Sequence, residues 1–246
     1  MLSLLAVLSF IYGVKSMAEF GFGWTSTGAA AAGLGLAVAF VRRQHVIAAP
    51  LIDMSLFRLP AFNVSLIVNL LALMFMFGSF IFMAQYLQLV AGLTALEAGL
   101  WSLPGAIAFT VMSFFNARLQ ARFANLQVLV GGLLFSAVGF LLLFFMESVV
   151  GVVFAMMIAA VGFTPVIALT TAYVVGAVPP EKAGIASALS ETAAELGGAL
   201  GIALLGSFAT FLYRNRMADA VPDNLEGAAG IRTSLAAAVD AAKSLP

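Results

Sequence analysis

Two carboxylates, Glu191 and Glu195, stand inside an apolar run that reads AGIASALSETAAELGGALGIALLGSFATF over residues 183–211. They are four positions apart, so on a helix they neighbour each other on one face, with Ala194 and Gly198 beside them. Two carboxylates close together in a low dielectric do not both ionise cheaply, so such a pair tends to hold a proton that a cation can displace. A carboxylate inside a membrane-spanning helix is expensive and is by default a candidate functional site. Directly after the pair, Gly197 and Gly201 form a G-x-x-x-G, with Ala199 and Ala203 as a second small row. Spacing of that kind lets another helix approach closely. The run therefore predicts a proton or cation site beside a packing groove.

The elements that must position this helix follow from composition. The chain has 246 residues, 63% of them hydrophobic and 9% charged, with a mean hydropathy of +1.11. Soluble domains run about 45–50% apolar and about 25% charged, so the solvent here is largely lipid. The apolar runs are long and rich in Leu, Ala, Gly and Phe, which selects helices over the ~10-residue alternating strands of a barrel. The fold class read from this is an all-α polytopic membrane protein of about seven spans. Net charge is zero and the basic residues are dispersed, which gives no nucleic-acid footprint. Cysteine is absent and His45 is the single histidine, so neither thiolate nor H-E-x-x-H metal sites are expected. With no G-x-S-x-G or Walker-type loop either, the sequence reads as a non-enzyme without cofactor or metal.

Seven segments can be marked. The first, residues 2–14, stops at Lys15 and Glu19 and is short for a ~30 Å core. It reads either as a truncated first helix or, less well, as a signal peptide without a proper charged start or cleavage site. Residues 24–41 follow, closed by Arg42-Arg43, and residues 45–61 form a connection with a short helix expected to lie in the membrane interface. Spans are then expected over residues 62–89, 97–118, 126–146 and 150–178, before the carboxylate helix. Pro104 and Pro165 predict kinks. After Tyr213 the charge density rises, so residues 214–246 read as a tail outside the membrane. Short loops carrying Arg42, Arg43, Arg58, Arg118, Arg122 and Lys182 alternate with short loops 88–96 and 147–149, which hold no Lys or Arg. The basic set is therefore cytoplasmic.

Three stretches, taken in order, resemble the 14-spanner drug:proton antiporters of the major facilitator superfamily. They are Pro50-Leu51-Ile52-Asp53-Met54-Ser55-Leu56-Phe57-Arg58; Gln85-Tyr86-Leu87-Gln88-Leu89-Val90-Ala91-Gly92-Leu93 with Glu97-Ala98-Gly99-Leu100 and Pro104-Gly105; and Val178-Pro179-Pro180-Glu181-Lys182-Ala183-Gly184 running into Glu191 and Glu195. The likeness implies a linker helix pair over residues 1–44, five of the six second-bundle helices over residues 62–213, and an external loop over residues 214–246. It implies efflux of lipophilic or cationic compounds across the cell membrane, driven by the proton gradient, with Glu195 foremost in coupling. It also implies a first bundle and a last helix that this chain does not contain. One departure is the loop Ala117-Arg118-Leu119-Gln120-Ala121-Arg122-Phe123, where the family often places an aspartate before its arginine; Arg118 and Arg122 are the candidate cytoplasmic gating residues.

Asn69 and Gln85 lie on one span and are candidates for a substrate path, the alternative being hydrogen bonds between helices. The expected partners are the bilayer, small lipophilic substrates and the absent first bundle. The alternative functional reading is a truncated, non-transporting fragment or a membrane subunit that acts only by association; a self-assembling pore or receptor is the third.

Overall fold

A computed structural model describes residues 2–20, 23–47, 53–222 and 228–244. Among the described residues there is no strand, and ten α-helices follow one another. Six helical runs are long and apolar enough to cross a membrane, and a shorter apolar helix covers Leu2–Met17. The all-α, polytopic reading holds. The chain divides into two compact units, one of Met54–Ala199 and one of Met1–Asp53 with Leu200–Pro246.

In the first-mentioned unit, α3 (Pro60–Gln85), α4 (Ala95–Arg122), α5 (Asn125–Leu143) and α6 (Val149–Gly176) precede α7 (Ala183–Leu200). The central element is α6, whose span is 56% buried against 28% or less for every other candidate span. Small residues explain its position. Gly132, Ser136 and Gly139 of α5 face Gly162, Ala159 and Ala155 of α6. A Cβ added at Gly139 would stand 2.5 Å from the Ala159 nitrogen and 2.8 Å from the Ala155 carbonyl oxygen. Ser136 donates its hydroxyl to the Ala159 carbonyl at 3.0 Å. The backbones thus meet almost directly, which is how helices associate where apolar burial alone gives no drive. Pro165 lies within this continuous helix, buried against Gly132.

Buried residues at both ends and in the middle complete the unit. At one end Leu56, Phe62, Val174, Val178 and Ala186 pack together, and Lys182 Nζ donates to Ser55 Oγ at 3.2 Å. That contact puts the Arg58 and Lys182 turns on the same side, as the loop charges require. At the other end Met83, Leu87, Ala98 and Val153 form a second cluster, and Tyr86 donates to the Glu147 carbonyl at 2.9 Å. There α3 leaves through a π-turn, Tyr86–Val90. Gly92 follows at φ 69°, a left-handed conformation that glycine adopts without a Cβ penalty. Thr94 and Glu97 then open α4 as a reciprocal cap, with Glu97 Oε2 accepting from the Thr94 nitrogen at 2.9 Å.

The other unit contains the hairpin of α1 (Leu2–Phe20) and α2 (Trp24–Val46), whose antiparallel register is fixed where Gly13 meets Ala30 and Gly33 meets Phe10 and Ala6. With it go α8 (Gly206–Ala220), α9 (Ala228–Thr233) and α10 (Leu235–Ser244). Tyr213 donates to the Ile231 carbonyl at 2.8 Å, tying α8 to α9.

Helix α1 extends beyond the apolar run of residues 2–14, through Lys15 to Phe20. Helix α8 carries the chain through the charged residues 214–220 to Ala220. In the connection over residues 45–61, Leu56–Arg58 form a single 3₁₀ turn with Leu56 2% exposed; residues 48–52 of that connection lie outside the described residues.

The α5–α6 contact sets a test. Gly139→Leu should lower stability in detergent by about 1–3 kcal/mol, the usual cost of overpacking. Gly131→Ala, in the same helix but with nothing within 4 Å of its added Cβ, should be neutral or stabilising. Thermal unfolding of the two variants side by side measures the difference.

Candidate functional site

Helix α7 has two unlike faces. Ala186, Ser190, Ala193 and Gly197 are buried, at spacings of four, three and four that hold one side of a helix. Gly197 is required there: an added Cβ would fall within clashing distance of the Leu70 carbonyl oxygen of α3. Gly198, beside it, lies under the Phe77 ring, whose nearest carbon would be 3.2 Å from a Cβ. The glycines therefore bring α7 against the backbone of α3, where any larger residue would force the two apart.

Glu191 and Glu195 lie on the opposite side and are exposed, as are Thr192 and Ala199. Among the described residues, neither carboxylate has a hydrogen-bond or ion-pair partner. From Ala183 the two sit about 12 Å and about 18 Å along the helix. Of the two small-residue rows marked in the sequence, Gly197 and Gly201 are buried, whereas Ala199 is exposed and Ala203 half-buried. The helical run continues beyond Leu200 as a π-turn, Gly201–Leu205, and then as α8. π-turns within helices are frequent at functional sites.

Asn69 of α3 is 1% exposed. Its Nδ2 donates to Thr170 Oγ1 at 2.9 Å and to Thr171 Oγ1 at 3.2 Å, both on α6. Thr170 passes its own proton to the Val166 carbonyl at 2.8 Å, so the amide is the donor in a short chain across the two helices. The Asn69 Oδ1 is buried without a partner, and so is Oδ1 of Asn116 on α4. Buried acceptors left unpaired are costly. Thr171, unlike Thr170, is exposed, so the chain from Asn69 ends at the protein surface. Gln85 is also exposed, but at the far end of α3, sixteen positions and therefore about 24 Å from Asn69. The structure does not bring Asn69 and Gln85 together.

Arg118 and Arg122 are exposed at the C-terminal end of α4. The Arg118 guanidinium carbon stands 5.5 Å from the centroid of the Phe115 ring. Sequence reasoning did not single out Thr170, Thr171 or Asn116. The adjacent threonines in an otherwise apolar helix were the available signal, because a hydroxyl in a span can serve a partner across a helix interface. No cluster of metal-ligating residues occurs among the described residues.

Residues 1–202 match the sequence model of the Major Facilitator Superfamily. The chain is 34% identical over 250 residues to the multidrug efflux pump LfrA of Mycolicibacterium smegmatis, an alignment covering 96% of this chain and 50% of that protein. It is 31% identical to the methyl viologen resistance protein SmvA of Salmonella typhimurium, with 99% and 50% covered. It is 28% identical to the tetracenomycin C resistance and export protein of Streptomyces glaucescens, with 89% and 40% covered. The chain thus spans about half the length of the curated relatives it matches.

The two faces of α7 can be separated experimentally. Gly197→Val should destabilise the fold by about 1–3 kcal/mol through overpacking against α3, while Ala199→Val, on the exposed face, should change it by less than about 0.5 kcal/mol. Equal effects in a denaturation series would show that α7 does not pack on the Gly197 side.

Proposed function

The chain belongs to the major facilitator superfamily, and from that membership we propose that it forms part of a secondary transporter exporting lipophilic or cationic compounds in exchange for protons. One observation carries the reading: α7 is fixed by Gly197 against α3 while Glu191 and Glu195 stand on its opposite, exposed face. A helix held that way offers two carboxylates to whatever lies across from it. Each can bind a proton or pair with a cation, and not both together, which is the exclusivity that exchange requires. Being deeper, Glu195 is the coupling residue; Glu191, nearer the cytoplasmic end, loads and releases. The printed names of the relatives, an efflux pump and two resistance proteins, one of them for export, support the substrate direction.

In this reading Arg118 and Arg122 belong to the cytoplasmic gate. The Asn69–Thr170–Thr171 chain borders the substrate path at its Thr171 end, and Gln85 borders it at the external end. No cofactor takes part; the proton gradient supplies the free energy. A second reading rests on the length of the relatives. Substrate sites of such transporters lie between two bundles near the midplane, so this chain works only in association with a bundle that supplies the other wall.

The test uses the complete transporter in inverted vesicles, with a pH-sensitive dye reporting proton movement on substrate addition. Glu195→Gln should reduce substrate-driven proton flux at least tenfold at unchanged protein level, and Glu191→Gln should reduce it less. Undiminished flux in Glu195→Gln would remove the coupling role.

A further inference from the structure

Within the unit of α3 to α7, an apolar groove of about 360 Å³ runs between the cytoplasmic end of α4, the start of α5 and the middle of α6. Met112, Leu119 and Phe123 line one wall, and Gly131, Phe135 and Pro165 line the other. The volume lies in the range of about 300–1,000 Å³ typical of small-ligand sites. Phe123, Gly131 and Phe135 are exposed, so the groove opens on the surface of the bundle. It is roomy at Gly131, where an added Cβ would meet nothing within 4 Å. It is also separate from the carboxylate face, since neither Glu191 nor Glu195 lines it.

Two arginines flank this groove without lining it. Arg118 and Arg122 are one turn apart on α4 and adjoin the lining residues Leu119 and Phe123 in the chain. Arg118 lies against the Phe115 ring, its guanidinium carbon 5.5 Å from the centroid, in the last two turns of α4. No Asp or Glu occurs anywhere in residues 98–146, and among the described residues neither arginine has an ion-pair partner. The opposite end of the same helices carries Glu97 and Glu147 and no basic residue in its loops. An anion is therefore favoured at the cytoplasmic end only.

We propose that the groove takes an acyl chain of an anionic phospholipid from the cytoplasmic leaflet, with Arg118 and Arg122 holding its phosphate. Each half of the lipid answers a different feature. The hydrocarbon fills an apolar cleft that no side chain of the bundle fills. The phosphate offers charge-assisted, bidentate acceptors to guanidinium groups that lack a carboxylate. Basic pockets between helices on the cytoplasmic side attract anionic headgroups, and each basic side chain adds to the preference. A zwitterionic lipid offers the same chain without net charge, and a soluble phosphate offers the charge without the chain.

The experiment is native mass spectrometry of the full chain released from phosphatidylcholine nanodiscs and titrated with phosphatidylglycerol or phosphatidylcholine. One phosphatidylglycerol should be retained with a preference on the order of tenfold or more over phosphatidylcholine. The double variant Arg118→Gln/Arg122→Gln should bring that preference below twofold, whereas Arg118→Lys/Arg122→Lys should keep part of it. Gly131→Leu, which fills the groove, should weaken both lipids at least fivefold; Gly131→Val replaces it if helicity by circular dichroism falls. Retention unchanged in the glutamine and groove-filling variants overturns the proposal. So does displacement of the lipid by millimolar inorganic phosphate, which would mark a site for the anion alone. A second copy of the chain in place of lipid would mark the groove as a protein interface and overturn it as well.

Discussion

Backbone-to-backbone approach of small residues is the constraint on which the rest of this structure depends. In hydrocarbon a leucine gains almost nothing by leaving lipid for another leucine, so helices hold together through packing at close range and a few hydrogen bonds. The α5–α6 contact shows both at once, with Gly132 and Gly139 removing side-chain bulk and Ser136 reaching the Ala159 carbonyl. Because α6 is held this way on one side, its other sides can carry α3 and α4, and Asn69 adds a polar tie to Thr170. The hairpin of α1 and α2 repeats the device with Gly13 and Gly33.

The same constraint shapes the candidate site. A helix packed through its glycines presents bulk and charge elsewhere by default, since residues two positions from the contact row lie on the far side. In α7 those residues include Glu191 and Glu195. Close packing on one face and chargeable groups on the other are thus one design in a single helix. An exchange mechanism needs both: a fixed helix that positions the carboxylate, and a carboxylate whose proton nothing else in the unit claims.

Much of this was legible in the sequence. Long apolar runs gave the spans, and the four-residue spacing of the carboxylates gave their shared face. The G-x-x-x-G at Gly197 pointed to a close contact, and the contact with Leu70 is there. What escaped was non-local. Asn69 and Thr170 are 101 positions apart, and no local pattern pairs them. Gly132, Ser136 and Gly139 went unmarked because their meaning depends on Ala155, Ala159 and Gly162 in the next helix. The two π-turns, at Tyr86–Val90 and Gly201–Leu205, leave no signature in hydropathy. The full lengths of α1 and α8 also lie beyond a hydropathy reading, since both helices continue past the apolar run into charged residues.

The central claim is that the carboxylate face of α7 borders water while the glycine face borders α3. The chain has no cysteine, so single cysteines placed in it report without background from the chain itself, any cysteine elsewhere in the transporter being replaced by serine. A maleimide reacts with the thiolate, which forms in water and not in lipid or a packed core. In membranes containing the complete transporter, cysteines at Ala188, Glu191, Glu195 and Ala199 should label readily and be protected by substrate. Those at Ala186, Ser190 and Ala193 should stay unlabelled, giving a period of about 3.6 residues. Labelling of the second set with protection of the first would contradict the account.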